Sequence, residues 1–154
     1  MTMPNLSRRI LLAAALLSPL LAHAQQSAIP IDVWKTPSCN CCNDWIKHIE
    51  ANGFKANIHV VDDTGPILAN AGIPEYYSSC HTAVVQGYAI VGHVPARDIH
   101  RLLREKPQAA GLTNPGMPLG SPGMDGPEYQ GSKHPYEVLL VRHDGSAHVF
   151  QSYR

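Results

Sequence analysis

Three cysteines lie within four residues, where a strand-like segment gives way to a helical one. Cys39, Cys41 and Cys42 form a C-x-C-C motif. Before the motif, residues 29–34 alternate apolar and polar side chains, which predicts a β-strand. After it, residues 42–52 place their apolar side chains on one face, which predicts an α-helix. The cysteines are therefore expected in the loop between a first strand and the N-terminal end of a first helix.

The chain continues with alternating strand and helix signals. The predicted segments are a strand over 54–61, a short helix over 67–71, a hairpin of strands over 82–85 and 88–91, and a helix that stops before Pro107. The resulting order is β-α-β-α-β-β-α. With a cysteine cluster after the first strand, this order predicts an α/β domain with a thioredoxin-like fold.

A stretch rich in glycine and proline, residues 107–135, shows no apolar period, so neither a helix nor a strand is predicted in it. The stretch contains Met117 and Met124. The other two methionines, Met1 and Met3, lie at the N-terminus of the chain. Beyond the stretch, residues 136–142 and 147–153 alternate well and flank an Asp-Gly turn. They predict an extra C-terminal β-hairpin that extends the sheet or covers one of its edges.

The N-terminal residues 1–24 have the three parts of a secretory signal peptide. Arg8 and Arg9 precede an apolar run over 10–21, and an Ala-His-Ala sequence ends at Ala24. The apolar run is shorter than the about 20 residues of a membrane-spanning helix. We therefore expect a periplasmic protein in which residues 25–154 form the mature domain, with no membrane insertion after removal of the signal.

The charge balance of the mature chain excludes some classes of partner. Two of the 12 lysines and arginines lie in the signal, which leaves ten basic residues against 12 acidic ones. Binding to nucleic acid or to an anionic membrane surface requires a clear cationic excess. Neither is expected as a partner.

The cysteines allow three interpretations. Two structural disulfides would suit an oxidising compartment, but the three crowded cysteines could close no long loops. Cys39 and Cys42 also form a C-x-x-C motif at a helix start, where the helix dipole lowers the thiol pKa. That pattern is typical of a thiol–disulfide oxidoreductase, which would have no need of Cys41 or Cys80.

The third interpretation is a metal site. Thiolates are soft ligands that select Cu(I), zinc or iron–sulfur clusters. Zinc ribbons use two separated C-x-x-C pairs, and this chain has only one. Crowded thiolates can instead bridge neighbouring ions in a polynuclear copper cluster. The thioethers of Met117 and Met124 also favour copper over zinc.

Cys80 and His81 stand directly before the predicted third strand. In thioredoxin-like folds this position faces the redox cysteines and normally holds a cis-proline, which offers no ligand atom. We therefore predict that Cys80 and His81 face the C-x-C-C motif. Two roles remain open for His93, which is either a metal ligand or a residue that orients a ligand. The predicted metal ligands are Cys39, Cys41, Cys42, Cys80, His81, Met117 and Met124.

These motifs resemble those of the CopG-type periplasmic copper-resistance proteins, a metal-binding family with a CxCC motif. The segments that carry the resemblance are residues 36–42 with Trp45, 79–83, 92–96 and 115–124. The resemblance implies a thioredoxin-like fold, a copper site built from the cysteines, and a role in copper tolerance that includes cycling between Cu(I) and Cu(II). The expected partners are copper ions and other periplasmic copper-handling proteins. A passive copper store or chaperone is a third functional class, beside the thiol–disulfide oxidoreductase.

Overall fold

The computed structural model describes residues 27–154, so the predicted signal peptide lies outside the described residues. The described chain forms a mixed α/β fold with a seven-stranded sheet and three α-helices. The strands are β1 (Ile29–Lys35), β2 (Phe54–Val60), β3 (His81–Val85), β4 (Tyr88–Gly92), β5 (Gly111–Asn114), β6 (Tyr136–Val141) and β7 (Ala147–Tyr153). The helices are α1 (Asn40–Ala51), α2 (Gly65–Asn70) and α3 (Ala96–Glu105).

The strand order across the sheet is β2-β1-β3-β4-β5-β6-β7. β1 is parallel to β2 and β4 is parallel to β5, while the other neighbouring pairs are antiparallel. Apart from a short 3-10 helix at Glu75–Tyr77, the elements up to α3 follow the predicted order β-α-β-α-β-β-α. The predicted C-terminal hairpin is β6 and β7, and it extends the sheet.

Strand β5 corrects the sequence analysis, which expected no strand in residues 107–135. All four residues of β5 are buried, so they show no alternation that could mark a strand. A Cβ at Gly111 would overlap the carbonyl group of Ala89, so glycine permits the close approach of β5 to β4. β5 thereby connects the C-terminal hairpin to the rest of the sheet.

The sheet has a hydrophobic core on each face. The larger core packs α1 and α3 against side chains such as Ile31 and Ile90, and the smaller one packs Leu68 of α2 near Ala89 and Val91. Side chains of successive strand residues point to opposite faces, which is why Ile90 and its two neighbours belong to different cores. Within residues 27–154, none of the helices is long and apolar enough to cross a membrane.

The register of the central strands sets where the cysteines meet. Lys35, the last residue of β1, pairs with His81, the first residue of β3. Because β1 and β3 are antiparallel, the loop that follows β1 and the residue that precedes β3 lie at the same end of the sheet. The C-x-C-C loop and Cys80 are therefore brought together by the backbone topology.

Candidate metal centre

The C-x-C-C motif forms the start of α1. Cys39 is the N-cap residue, no side chain caps the helix, and its first turn has no acidic residue. The free backbone N–H groups and the dipole of a helix N-terminus stabilise thiolates there. Cys39 and Cys42 are joined by a disulfide bond, whereas Cys41 and Cys80 are free thiols.

Cys80 completes a group of four cysteines whose Sγ atoms all lie within 4.8 Å of one another. The Sγ atoms of Cys39 and Cys41 are 3.6 Å apart, and the Sγ of Cys42 lies 3.6 Å from the carbonyl oxygen of Cys80. Burial and, to a smaller extent, the Cys41 thiol raise the pKa of Cys80 to about 12. The Cys80 thiol is therefore protonated at neutral pH, and a bound cation would displace its proton.

Cys80 also belongs to a second group, which contains two buried histidines. Its Sγ lies 3.4 Å from Nδ1 of His81 and 3.2 Å from Nε2 of His93. These three ligand atoms again lie within 4.8 Å of one another. The sulfur of Cys80 is thus shared between a sulfur-rich group and a sulfur–nitrogen group.

Both histidines are neutral. Burial and the neighbouring His93 lower the pKa of His81 to about 3. Burial lowers the pKa of His93 to about 4, an effect that the nearby Pro122 carbonyl and Asp125 carboxylate oppose. A neutral imidazole keeps a lone pair that can bind a metal ion.

Each imidazole also has one nitrogen without a hydrogen-bond partner, namely Nε2 of His81 and Nδ1 of His93. Buried polar atoms are nearly always paired, because an unpaired one costs free energy. These are not the nitrogens that lie beside the Cys80 sulfur, so a metal ion between Cys80 and the two imidazoles would leave both atoms unpaired. The fit to a soft metal ion rests instead on the sulfur and neutral imidazole donors that lie close together in this site.

The ring of Trp45 holds His81 in place. The two ring centroids are 4.2 Å apart, and the indole Nε1 of Trp45 donates a hydrogen bond of 2.8 Å to the carbonyl oxygen of Val94. Trp45 is fully buried and lies one helical turn after the cysteines of α1. It therefore fixes α1 against the segment that carries His93.

Gly92 and Asn114 position His93, and the sequence analysis assigned neither of them a role. Gly92 has φ +72°, and a Cβ there would lie 2.6 Å from both the Ser79 Oγ and the Asn114 carbonyl oxygen. The side-chain amide of Asn114 donates a hydrogen bond of 3.0 Å to the His93 carbonyl. In the sequence, the Gly92-His93 pair only weakly indicates the close packing at Gly92. No sequence pattern indicates the hydrogen bond from Asn114 to His93.

The segment around residues 115–124 packs on the first turn of α1. A Cβ at Gly123, where φ is +87°, would lie 2.7 Å from the carbonyl oxygen of Cys41. Met117 places its Sδ 3.8 Å from the Sγ of Cys41. Met124 instead accepts a hydrogen bond of 3.4 Å from the Tyr129 hydroxyl. The structure thus brings Met117 to the cysteines and places Met124 against Tyr129.

The fold and the site define an α/β protein with a thiol-rich centre suited to a soft metal ion. A solved structure described as copper resistance protein CopG, form 2, is 42% identical, covers 83% of this chain and 100% of its own, and superposes with a TM-score of 0.76. Form 1 is also 42% identical, with 82% and 98% coverage and a TM-score of 0.75. The chain therefore belongs to the CopG family of copper-resistance proteins.

A family model described as protein of unknown function, DUF411, matches residues 77–124. These residues contain Cys80, His81, His93, Met117 and Met124. No curated protein matches the chain.

Proposed function

We propose that this protein binds copper as Cu(I) in the periplasm and contributes to copper resistance. The observation that carries the proposal is the convergence of four cysteine Sγ atoms within 4.8 Å of one another, with Cys80 shared with two buried neutral histidines. Sulfur and imidazole donors of this kind suit Cu(I). The names of the related structures support the same metal.

Reduction of the disulfide between Cys39 and Cys42 is the first step of loading in this proposal. The reduced site offers four cysteine sulfurs close enough to bridge ions in a polynuclear cluster. Three of them come from the N-terminal end of α1, and the fourth is Cys80, whose proton a bound ion would displace. His81 is proposed as a further ligand, and His93 either as a ligand or as the group that orients Cys80.

The two methionines are proposed to complete the ligand set. Met117 already contacts Cys41, whereas Met124 would have to exchange its hydrogen bond with Tyr129 for a metal ion. The loop that carries them would cover the bound copper and limit the access of water and oxygen. Met117 is 37% exposed, which places it at the solvent side of the site.

The proposal includes interconversion of Cu(I) and Cu(II). Reduction of two Cu(II) ions to Cu(I) takes up two electrons, and the thiolates of Cys39 and Cys42 supply two electrons as they close to the disulfide. The electron balance is therefore complete within one site. Opening of the disulfide for the next cycle would require an electron donor, for which other periplasmic copper-handling proteins are the proposed partners.

A thioredoxin-like topology is part of the same proposal. The strand order β2-β1-β3-β4, with β1 parallel to β2 and antiparallel to β3, supports it, as does the disulfide at the start of α1. The same disulfide favours a second candidate function, a periplasmic thiol–disulfide oxidoreductase.

Titration of the reduced protein, residues 25–154, with Cu(I) against a chelator tests the copper function. We expect at least one copper per chain and a clear loss of copper in Cys41→Ser. A stoichiometry well below one, or no change in Cys41→Ser, contradicts copper binding at this site.

The oxidoreductase makes a different prediction. It would reduce disulfide substrates in metal-free buffer, lose this activity in Cys39→Ser, and keep it in Cys80→Ser. The proposed compartment is tested by fractionation of cells and N-terminal sequencing, which should place the protein in the periplasm and its first residue at Gln25.

A further inference from the structure

Strand β2 is an edge of the sheet that carries two exposed apolar side chains. Within residues 27–154, β1 is the only strand that pairs with it. Ile58 and Val60 are 52% and 62% exposed. They follow Phe54 and Ala56 on the face of β2 that packs on the larger core, because alternate residues of a strand share a face. The apolar face of β2 therefore continues from the core into solvent.

The backbone of β2 has a row of free hydrogen-bonding groups along this edge. Val61 donates its N–H to the Lys35 carbonyl, and the Gly53 carbonyl accepts from the N–H of Ile29. The odd-numbered residues of this segment thus direct their N–H and C=O groups toward β1. The corresponding groups of the even-numbered residues within 54–60 point away from β1, where a further strand can pair with all of them.

The edge at β2 lacks the features that ordinarily prevent such pairing. Edge strands are commonly protected by a proline, by a bulge or by being very short. β2 has seven residues without a proline, and its register with β1 is unbroken. At the opposite edge of the sheet, the pairing of β7 with β6 is interrupted by a register shift between Val138 and Leu139. β2 is therefore the edge that is open to another strand.

The charges along this segment favour a second copy of the same strand as the partner. Lys55 is exposed near the start of β2, and Asp62 and Asp63 are exposed just after its end. When two copies of such a segment pair antiparallel, the basic start of each lies beside the acidic end of the other. The edge is thus complementary in charge to itself, and opposite charges on neighbouring strands stabilise their pairing.

We infer that β2 pairs antiparallel with β2 of a second copy, which joins the two sheets into one continuous sheet. The register places Ile58 on the two-fold axis and Ala56 of each copy opposite Val60 of the other, so the apolar side chains of both copies cover one another. On the other face Asn57 lies opposite His59, and no two like charges are opposed. Such a symmetric interface closes as a dimer. The inference does not depend on the proposed copper function.

Sedimentation velocity of the metal-free mature protein over a range of concentrations tests this dimer. We expect a reversible monomer–dimer equilibrium. Ile58→Lys places two lysines opposite each other at the axis and should raise the dissociation constant about tenfold or more. Val149→Lys is the matched control, since Val149 is 47% exposed on the other edge strand, β7, and it should leave the dissociation constant unchanged. Circular dichroism checks that each variant is folded.

A charge exchange separates pairing from loss of the fold. In the inferred register, Lys55 of one copy lies diagonally next to Asp63 of the other on the same face, within reach of a long side chain. Lys55→Glu should therefore weaken the dimer several-fold. Combined with Asp63→Lys, it should restore the dimer, because the attraction is re-established with the charges exchanged. A merely disruptive substitution would not be rescued in this way.

A wild-type protein that stays monomeric up to about 1 mM overturns the inference and leaves the edge of β2 to a strand of another protein. So does a dimer that Val149→Lys weakens as much as Ile58→Lys, or one that the exchange of Lys55 and Asp63 does not restore. None of these measurements uses copper. A protein that takes up no copper would refute the proposed function and leave the test of the dimer intact.

Discussion

The sulfur of Cys80 lies 3.2 Å from Nε2 of His93, because the two residues flank the open end of the hairpin formed by β3 and β4, Cys80 directly before β3 and His93 directly after β4. The same sulfur belongs to the group of four cysteines and to the group with His81. Cys80 is therefore the one residue that the two groups share, and we expect its loss to affect copper binding more than the loss of any other member.

We expect Cys80→Ser to reduce the Cu(I) affinity about 100-fold or more, beyond the 10- to 100-fold typical of losing an outer contact. Titration against a chelator measures the change. Ser38→Ala, at an exposed position in the loop before Cys39, is the control and should bind copper like the wild type. If Cys80→Ser binds copper as tightly as this control, the shared sulfur is not a ligand.

The stability of the metal-free protein should fall as the pH is lowered from about 6.5 toward 4. The pKa values of His81 and His93 are lowered by burial to about 3 and about 4, so the unfolded chain binds more protons than the folded one in this window. Each histidine contributes at most about 1.4 kcal/mol per pH unit. Urea unfolding at several pH values measures the slope.

In the variants His81→Asn and His93→Asn, the free energy of unfolding should depend less on pH between pH 4 and 6.5 than in the wild type. His143→Asn, at an exposed site next to β6, is the control and should keep the slope of the wild type. An equal slope in all four proteins would show that the two buried histidines do not control the acid response.

Gly92→Ala should destabilise the protein by roughly 2–3 kcal/mol, because its Cβ meets Ser79 and Asn114 and its φ is positive. Gly87→Ala is a matched control, since its φ of +86° is also positive but nothing lies within 4 Å of the added Cβ. The control should lose only about 1 kcal/mol. If urea unfolding gives equal losses of stability in Gly92→Ala and Gly87→Ala, the close packing at Gly92 contributes nothing to the effect of the substitution.

Met117→Leu should weaken Cu(I) binding several-fold, because leucine keeps the volume and removes the thioether that lies 3.8 Å from Cys41. Met124→Leu should have the smaller effect, since the Met124 sulfur is held by Tyr129. X-ray absorption at the copper edge, which counts sulfur neighbours, provides a second measurement. A larger loss of Cu(I) affinity in Met124→Leu than in Met117→Leu would contradict this prediction.

The sequence predicted the elements that have a clear period. Alternation and helical spacing located the strands and helices up to α3, and this order placed Cys80 opposite the C-x-C-C loop. β5 was missed because a four-residue strand that is buried on both faces has no alternation to detect. Because β5 was not predicted, the role of Asn114 was not predicted either, since its contact with His93 depends on β5 pairing with β4.

The oxidation state of the cysteines was also beyond prediction from spacing. A C-x-C-C motif at a helix start is compatible with a disulfide and with free thiolates, because both need short distances between sulfurs.

The proposed ligands come from segments far apart in the chain, from Cys39 through Cys80 and His93 to Met117. An ion held by all of them would act as a non-covalent cross-link, tying a stretch of almost eighty residues into one closed loop. Folding and loading would then be thermodynamically linked, and the loaded protein would resist heat and proteases better than the empty one. In a cell, such a difference would let the abundance of the protein follow the supply of its metal.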